Sequence, residues 1–189
     1  MKKRLFVAVP LDETLRLQLA SYIKERQQKN FLTGLAIRWT PATNLHLTLC
    51  FLGYWEEKYI PAIGQKLQNL AAELAPFSLR FGAVSWGPPV GSPRMIWGIF
   101  DSHESWVILA GAVARTLKKV NLAEEREMIP HVTLARFKPE AKRLLPRLPL
   151  LEKPPGAIRI NSFSLFASTL YQRGPVYTEL ARFSLGRKR

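Results

Sequence analysis

The tripeptide His-x-Thr occurs twice, as His46-Leu47-Thr48-Leu49 and as His131-Val132-Thr133-Leu134, each within a run that alternates as a β-strand does. The chain has only three histidines, so two of them in one frame predict two strands of like design in two related halves. On a strand, side chains at i and i+2 point the same way, and each motif therefore presents an imidazole beside a hydroxyl. Two such strands facing each other would surround one ligand with two of each.

The rest of the pattern fits a mixed fold around these strands. A first strand over about Arg4 to Val9 leads through Pro10 into a helix over about Asp12 to Gln28. Asp12 is its N-cap, and Leu15, Leu19, Tyr22 and Ile23 form its apolar face. After a short extended piece, Ile37 to Thr40, alternation places His46, Thr48 and Cys50 on one face of the next strand and Leu47, Leu49 and Phe51 on the core face. A helix over about Glu56 to Leu74 follows, with an apolar stripe of Ile60, Ile63, Leu67, Leu70 and Leu74.

Strands over about Phe77 to Trp86 and Arg94 to Phe100 flank the Gly87-to-Pro93 loop, whose prolines and glycines sustain neither period. Another helix, about Glu104 to Val120, carries Leu109, Val113, Leu117 and Val120. The second motif then puts His131, Thr133 and Ala135 on one face and Val132, Leu134 and Arg136 on the other, unless a bulge near Ala135 turns Arg136 around. The stretch Pro139 to Pro155 is irregular, and two last strands, about Ile158 to Ser168 and Val176 to Phe183, bracket a turn at Tyr171 to Pro175. The order reads as α+β, mostly antiparallel, in two related halves with no linker separating them.

Composition narrows the function. Twenty-eight Lys and Arg against 14 Asp and Glu leave a formal charge of +14, a field that gathers RNA, DNA or phosphorylated small molecules. Part of the excess is terminal, in Lys2-Lys3-Arg4 and Arg187-Lys188-Arg189. No apolar run approaches a membrane span, and the start of the chain is too short in apolar residues for a signal peptide. Cys50 is the only cysteine, which excludes an internal disulfide and fits the cytoplasm.

Displacement at phosphorus needs a base and an acid on opposite sides of the atom, and two imidazoles with an ordinary pKa of about 6.5 can share those roles near neutral pH. The threonines and a basic side chain would hold the non-bridging oxygens. A zinc site competes for the histidines, but no His-x-x-x-His or cysteine cluster accompanies them. His103 lacks a Thr partner and reads as a structural residue at a helix start. A binding protein without chemistry is the remaining alternative, with Trp39, Phe51 or Trp97 stacking on bases, although such aromatics more often fill a core.

These residues resemble the 2H phosphoesterase superfamily, and within it the RNA 2′,3′-cyclic phosphodiesterases formerly described as 2′-5′ RNA ligases. The resemblance runs through Arg4-Leu5-Phe6-Val7-Ala8-Val9, Asn44 to Gly53, Ile129 to Phe137, and the closing Ser164 to Leu170 and Gly174 to Tyr177, with Phe166 where a Tyr is common. It implies a bilobal, LigT-like α+β fold of two pseudosymmetric lobes of mostly antiparallel sheet with helices on the outer faces. The whole chain, 1–189, would form one domain of two intertwined lobes with a basic tail at 186–189. It also implies His46 as proton donor, His131 as proton acceptor, Thr48, Thr133 and Arg136 as phosphate ligands, and neither metal nor cofactor. The implied substrates are RNA ends bearing a 2′,3′-cyclic phosphate, tRNA fragments among them, met by a cytoplasmic monomer. Ligation, the reverse reaction, is the nearest alternative.

Overall fold

The computed structural model describes residues 1–28, 36–88, 93–101, 103–117, 129–137, 156–172 and 174–186. Among the described residues, nine strands and three α-helices follow in chain order: β1 (Lys2–Pro10), α1 (Glu13–Gln28), β2 (Ile37–Trp39), β3 (His46–Glu56), α2 (Ile60–Glu73), β4 (Phe77–Gly87), β5 (Met95–Phe100), α3 (Glu104–Thr116), β6 (His131–Phe137), β7 (Ala157–Ile160), β8 (Ser162–Tyr171) and β9 (Gly174–Ser184). The strands join in the order β7-β4-β5-β6-β3-β1-β8-β9, with β2 paired to β6, and every pairing is antiparallel.

The two motif strands are neighbours at the centre of this order. β3 and β6 bridge at Leu47 and Val132, the middle residues of the two His-x-Thr triplets. Antiparallel register there sets His46 level with Thr133 and Thr48 level with His131, so a local twofold axis runs between the motifs. Three further strands extend the path on each side of this pair. Leu47 and Val132 are fully buried in a core that is continuous across both halves.

The helices lie on the core face of the sheet. In α1, the backbone N–H of Leu15 donates to Asp12 Oδ1 at 2.8 Å, and Leu15, Leu19, Tyr22 and Ile23 are the buried residues, as the sequence pattern predicts. Leu19 reaches the backbone of Gly98 on β5. α2 packs on β9 and α3, and α3 packs on β3. His103 caps α3: its Nδ1 accepts from the Ser105 N–H at 3.2 Å and its ring stacks on Phe77. The structural reading of this third histidine holds.

Two expectations change. β3 runs on to Glu56, and a 3-10 turn, Glu57–Tyr59, precedes α2, whose Pro61 sits in the first turn where a missing N–H costs nothing. The strand expected over Ile158 to Ser168 is two strands in opposite halves. β7 pairs with β4 and β8 with β1, and the chain crosses between halves at Asn161. Alternation breaks at the crossing: Ile158, Ile160 and Phe163 are buried, and the step of three from Ile160 to Phe163, across polar Asn161 and Ser162, marks the change of partner. Val120, the Pro139 to Pro155 stretch, most of the Gly87 to Pro93 loop and Arg187 to Arg189 lie outside the described residues.

Because the halves bridge through one pair, truncation there should be felt by the whole fold. Leu47→Ala is expected to cost about 3 kcal/mol in urea denaturation. A loss under about 1 kcal/mol would show that the seam contributes little.

Candidate active site

A cleft of about 470 Å³ opens on the sheet face opposite the helices, and His46, Thr48, Thr133 and Arg136 line it together with Arg4, Phe6, Arg38, Asn44, Phe51 and Tyr177. His131 is level with Thr48 across the β3–β6 bridge, beside the lining residues rather than among them. Its ring stacks on the buried Trp97 with centroids 3.8 Å apart, and its charge is felt by His46. The three side chains expected to hold the phosphate, Thr48, Thr133 and Arg136, and the expected donor His46 line one cleft, and the second imidazole flanks it.

Both motifs leave ideal alternation after their threonine, and in the same way. On β3, Ala8 faces Thr48 and Val7 faces Cys50, which leaves Leu49 without a partner. On β6, Trp97 faces Thr133 and Ile96 faces Ala135, which leaves Leu134 without one. On β6 the bulge buries Leu134 and Ala135 in succession, on β3 half-buried Cys50 follows buried Leu49, and each bulge reverses the faces beyond it. Cys50 therefore turns to the core side rather than joining His46 and Thr48, and Phe51, expected in the core, is 61% exposed and lines the cleft. Likewise Ala135 is buried and Arg136 enters the cleft, so regular periodicity fails at the positions where the bulges act. Phe51 and Arg136 are thus equivalent positions in the two halves with different chemistry.

The imidazoles are oriented identically. His46 Nδ1 lies 2.7 Å from the Asn44 carbonyl, and His131 Nδ1 lies 2.8 Å from the Ile129 carbonyl, in each case two residues upstream. A carbonyl only accepts, so Nδ1–H donates in both rings and Nε2 is the nitrogen left to exchange protons. Asn44 is itself anchored, its Nδ2 donating to the Pro175 carbonyl at 2.7 Å. Phe6 and Tyr177 pack against the His46 ring. Trp97 in turn lies on the backbone of Gly87, where a Cβ would stand 2.2 Å from the indole.

Electrostatics of the cleft favour an anion. Arg38 and Arg136 sit directly opposite each other on β2 and β6, an arrangement of like charges that destabilises a bare sheet. With Arg4 they bring three guanidiniums to the cleft. None of its lining residues is acidic, and among the described residues no carboxylate pairs with any of the three. Gly174 makes room for Arg38: a Cβ there would meet the guanidinium at 2.1 Å, and its φ of +128° also favours glycine.

Burial pushes His46 down to about 4, against the pull of the Asn44 carbonyl, and His131 and Arg136 push it further in the same direction. Burial also lowers His131, opposed by its bond to Ile129 and aided by Arg136. Both imidazoles are therefore neutral near pH 7 in the free protein, where the sequence led us to expect one of each form. Among the described residues no three His, Cys, Asp or Glu side chains gather as metal ligands.

Sequence reasoning missed Arg4, Arg38, Asn44 and Tyr177. Arg4, Arg38 and Tyr177 carry no local signal, because β1, β2 and β9 bring them to the motifs from distant parts of the chain, whereas Asn44 stands only two residues before His46.

Two antiparallel His-x-Thr strands about a local twofold, set over a cationic cleft, are the architecture of the 2H phosphoesterases. The profile of the 2′-5′ RNA ligase superfamily matches residues 17–170, and the chain belongs to that family. It is 30% identical over 184 residues to the RNA 2′,3′-cyclic phosphodiesterase of Archaeoglobus fulgidus, covering 95% of this chain and 99% of that one. It is 35% identical over 195 residues to the protein of the same name from Thermus thermophilus, covering 96% and 90%. Among solved structures, a Thermus thermophilus protein superposes with a TM-score of 0.77 at 30% identity, over 98% of this chain and 100% of that one. Escherichia coli LigT complexed with phosphate gives 0.71 at 26% identity, over 98% and 99%.

An anion in the cleft favours the charged imidazole and so raises these depressed pKa values, which means that binding takes up protons in the pH window between the depressed and the raised value. Calorimetry with sulfate near pH 6, in two buffers of different ionisation enthalpy, should show net proton uptake by the wild type and less by His46→Gln. Uptake of zero would mean that the imidazoles stay neutral beside the anion.

Proposed function

We propose that this chain hydrolyses a terminal 2′,3′-cyclic phosphate of RNA to a 2′-phosphomonoester, by metal-independent acid–base catalysis. The observation that supports this reading is the near-twofold pairing of the two His-x-Thr triplets, with His46, Thr48 and Thr133 lining one cationic cleft and His131 at its flank. The activity named for the relatives supplies the substrate class. The proposed partners are RNA ends, tRNA fragments among them, met by a monomer in the cytoplasm. No described helix is long and apolar enough to cross a membrane.

In this mechanism the cyclic phosphate lies between the histidines, its non-bridging oxygens held by the Thr48 and Thr133 hydroxyls and the Arg136 guanidinium. His131 Nε2 takes a proton from water as the water oxygen bonds to phosphorus. The bond from phosphorus to the 3′ oxygen breaks on the far side, and that oxygen receives the proton of His46 Nε2. The product keeps phosphate on the 2′ oxygen and a free 3′ hydroxyl. Exchange with solvent then returns the proton from His131 and restores that of His46.

The two environments suit this division of roles. His131 gains positive charge during the step, and the stacked Trp97 indole favours an imidazolium. His46, neutral in the free protein, acquires its proton as the anionic substrate arrives and gives it up as the 3′ oxygen departs. The family's name points to a second use of the same geometry, in which a 5′ hydroxyl replaces water and the product is a 2′-5′ linkage.

His46→Ala and His131→Ala are each expected to lower the rate by about 10²–10⁴ on an oligoribonucleotide ending in a 2′,3′-cyclic phosphate. End-labelled product from the wild type should carry a 2′-phosphate. Near-full activity in both variants, or a 3′-phosphate product, would sink the reading. EDTA should leave the rate unchanged, and inhibition reversed by Mg²⁺ or Zn²⁺ would reopen a role for metal.

A further inference from the structure

Beyond the cleft, the outer stretch of β3 carries an aromatic side chain that neither the core nor the reaction uses. Tyr54 is 68% exposed and sits directly opposite Arg4 on β1. Directly paired residues of an antiparallel sheet share a face, and Arg4 lines the cleft, so Tyr54 stands on the cleft side. Arg4 in turn faces Ser168 on β8, and Ser168 faces Tyr177 on β9. The four strands thus carry a row of aromatic, cation, hydroxyl and aromatic across the mouth of the site. The next pair outward on that face is Lys2 with Glu56, and Glu56 already pairs with Lys58 at 3.0 Å.

Tyr54 reaches this face through an irregularity. The bulge at Leu49 alone would have turned it to the core side. A second shift, between Leu5 and Phe6, leaves Leu52 without a partner and turns the strand back. Gly53 takes up the strain there with a φ of +76°, a backbone conformation that favours glycine. The two bulges together put Phe51 and Tyr54 on the cleft face three residues apart.

Resting on the phosphodiesterase reading, we infer that Tyr54 and Arg4 form a subsite for the nucleotide that precedes the terminal one in an unpaired RNA 3′ end. Tyr54 stacks on its base and Arg4 meets the phosphate that joins the two nucleotides. Six residues at about 3.3 Å per residue set Tyr54 up to about 20 Å from Thr48 along the strand, beyond a nucleotide whose cyclic phosphate sits between the histidines. The RNA strand's only continuation from that phosphate is through the 5′ oxygen of the terminal ribose. Arg4 lies on the way, at the wall of the cleft. An exposed aromatic beside an unpaired guanidinium is the pairing that binds single strands, since every base offers a face to stack and every link a charge to meet. A base held in a duplex is already stacked on its neighbours, so the subsite selects ends with at least two unpaired nucleotides.

The test compares a 2′,3′-cyclic mononucleotide with a trinucleotide ending in the same cyclic nucleotide. Wild type should prefer the trinucleotide. Tyr54→Ser should raise its KM about tenfold while leaving the mononucleotide's kcat and KM unchanged, and Tyr54→Phe should keep the preference. Equal loss on both substrates, or no loss on either, would overturn the subsite and leave the phosphodiesterase standing. A wild type that hydrolyses neither would overturn both.

Discussion

The bridge between Leu47 and Val132 is the constraint from which the rest of the site descends. It joins β3 to β6, and antiparallel pairing at the middle residue of each triplet sets each histidine level with the other motif's threonine. A slip of one residue along either strand would point that motif's histidine and threonine into the core and its core residue out of it. Burial of Leu47 and Val132 opposes such a slip, because it would replace two core residues by a histidine or threonine without a partner. The hydrophobic requirement on one face of the sheet thereby fixes the chemistry on the other.

Around that bridge the two halves repeat each other in backbone and diverge in side chains. Both imidazoles donate to the carbonyl two residues upstream, and both strands bulge one residue past the threonine. The contacts beyond differ. His131 rests on an indole that is itself seated on a glycine, while His46 is enclosed by Phe6 and Tyr177. After the bulge one half presents Phe51 and the other Arg136. A symmetric scaffold with unlike fittings can hold a substrate that is itself unsymmetric, with a charged phosphate and an aromatic base. The opposed Arg38 and Arg136 belong to the same trade, because a repulsion that costs stability in the free protein is relieved by an anion.

The sequence made much of this legible where the signal is local. The paired motifs, the Asp12 cap, the buried face of α1 and the structural role of His103 all follow from residues within a few positions of one another. What stayed hidden depends on neighbours across the sheet. The bulges at Leu49 and Leu134 are relations between two strands, so the faces of Cys50, Phe51, Ala135 and Arg136 could not be settled from one strand's alternation. Arg38 reaches the cleft because β2 pairs with β6 and because Gly174, far along the chain, leaves space for it. The change of partner at Asn161 did leave a local mark, the step of three from Ile160 to Phe163, but a skipped phase alone does not say which strand each segment joins.

That crossing at Asn161 has a consequence for the order in which the protein can be made. β1 leaves the ribosome before the other strands, yet it lies inside the sheet between β3 and β8, and Phe6, which encloses His46, stacks on Phe166 of β8. β7 pairs with β4 in one half, and the chain then crosses to lay β8 and β9 on the other. Tyr177 and the Pro175 carbonyl that anchors Asn44 arrive with that last hairpin. During synthesis both His-x-Thr strands therefore exist well before the surroundings of His46 are complete. The nascent chain carries its reactive groups without the means to aim them, and the RNA around the translating ribosome meets a finished site only after β9 has emerged.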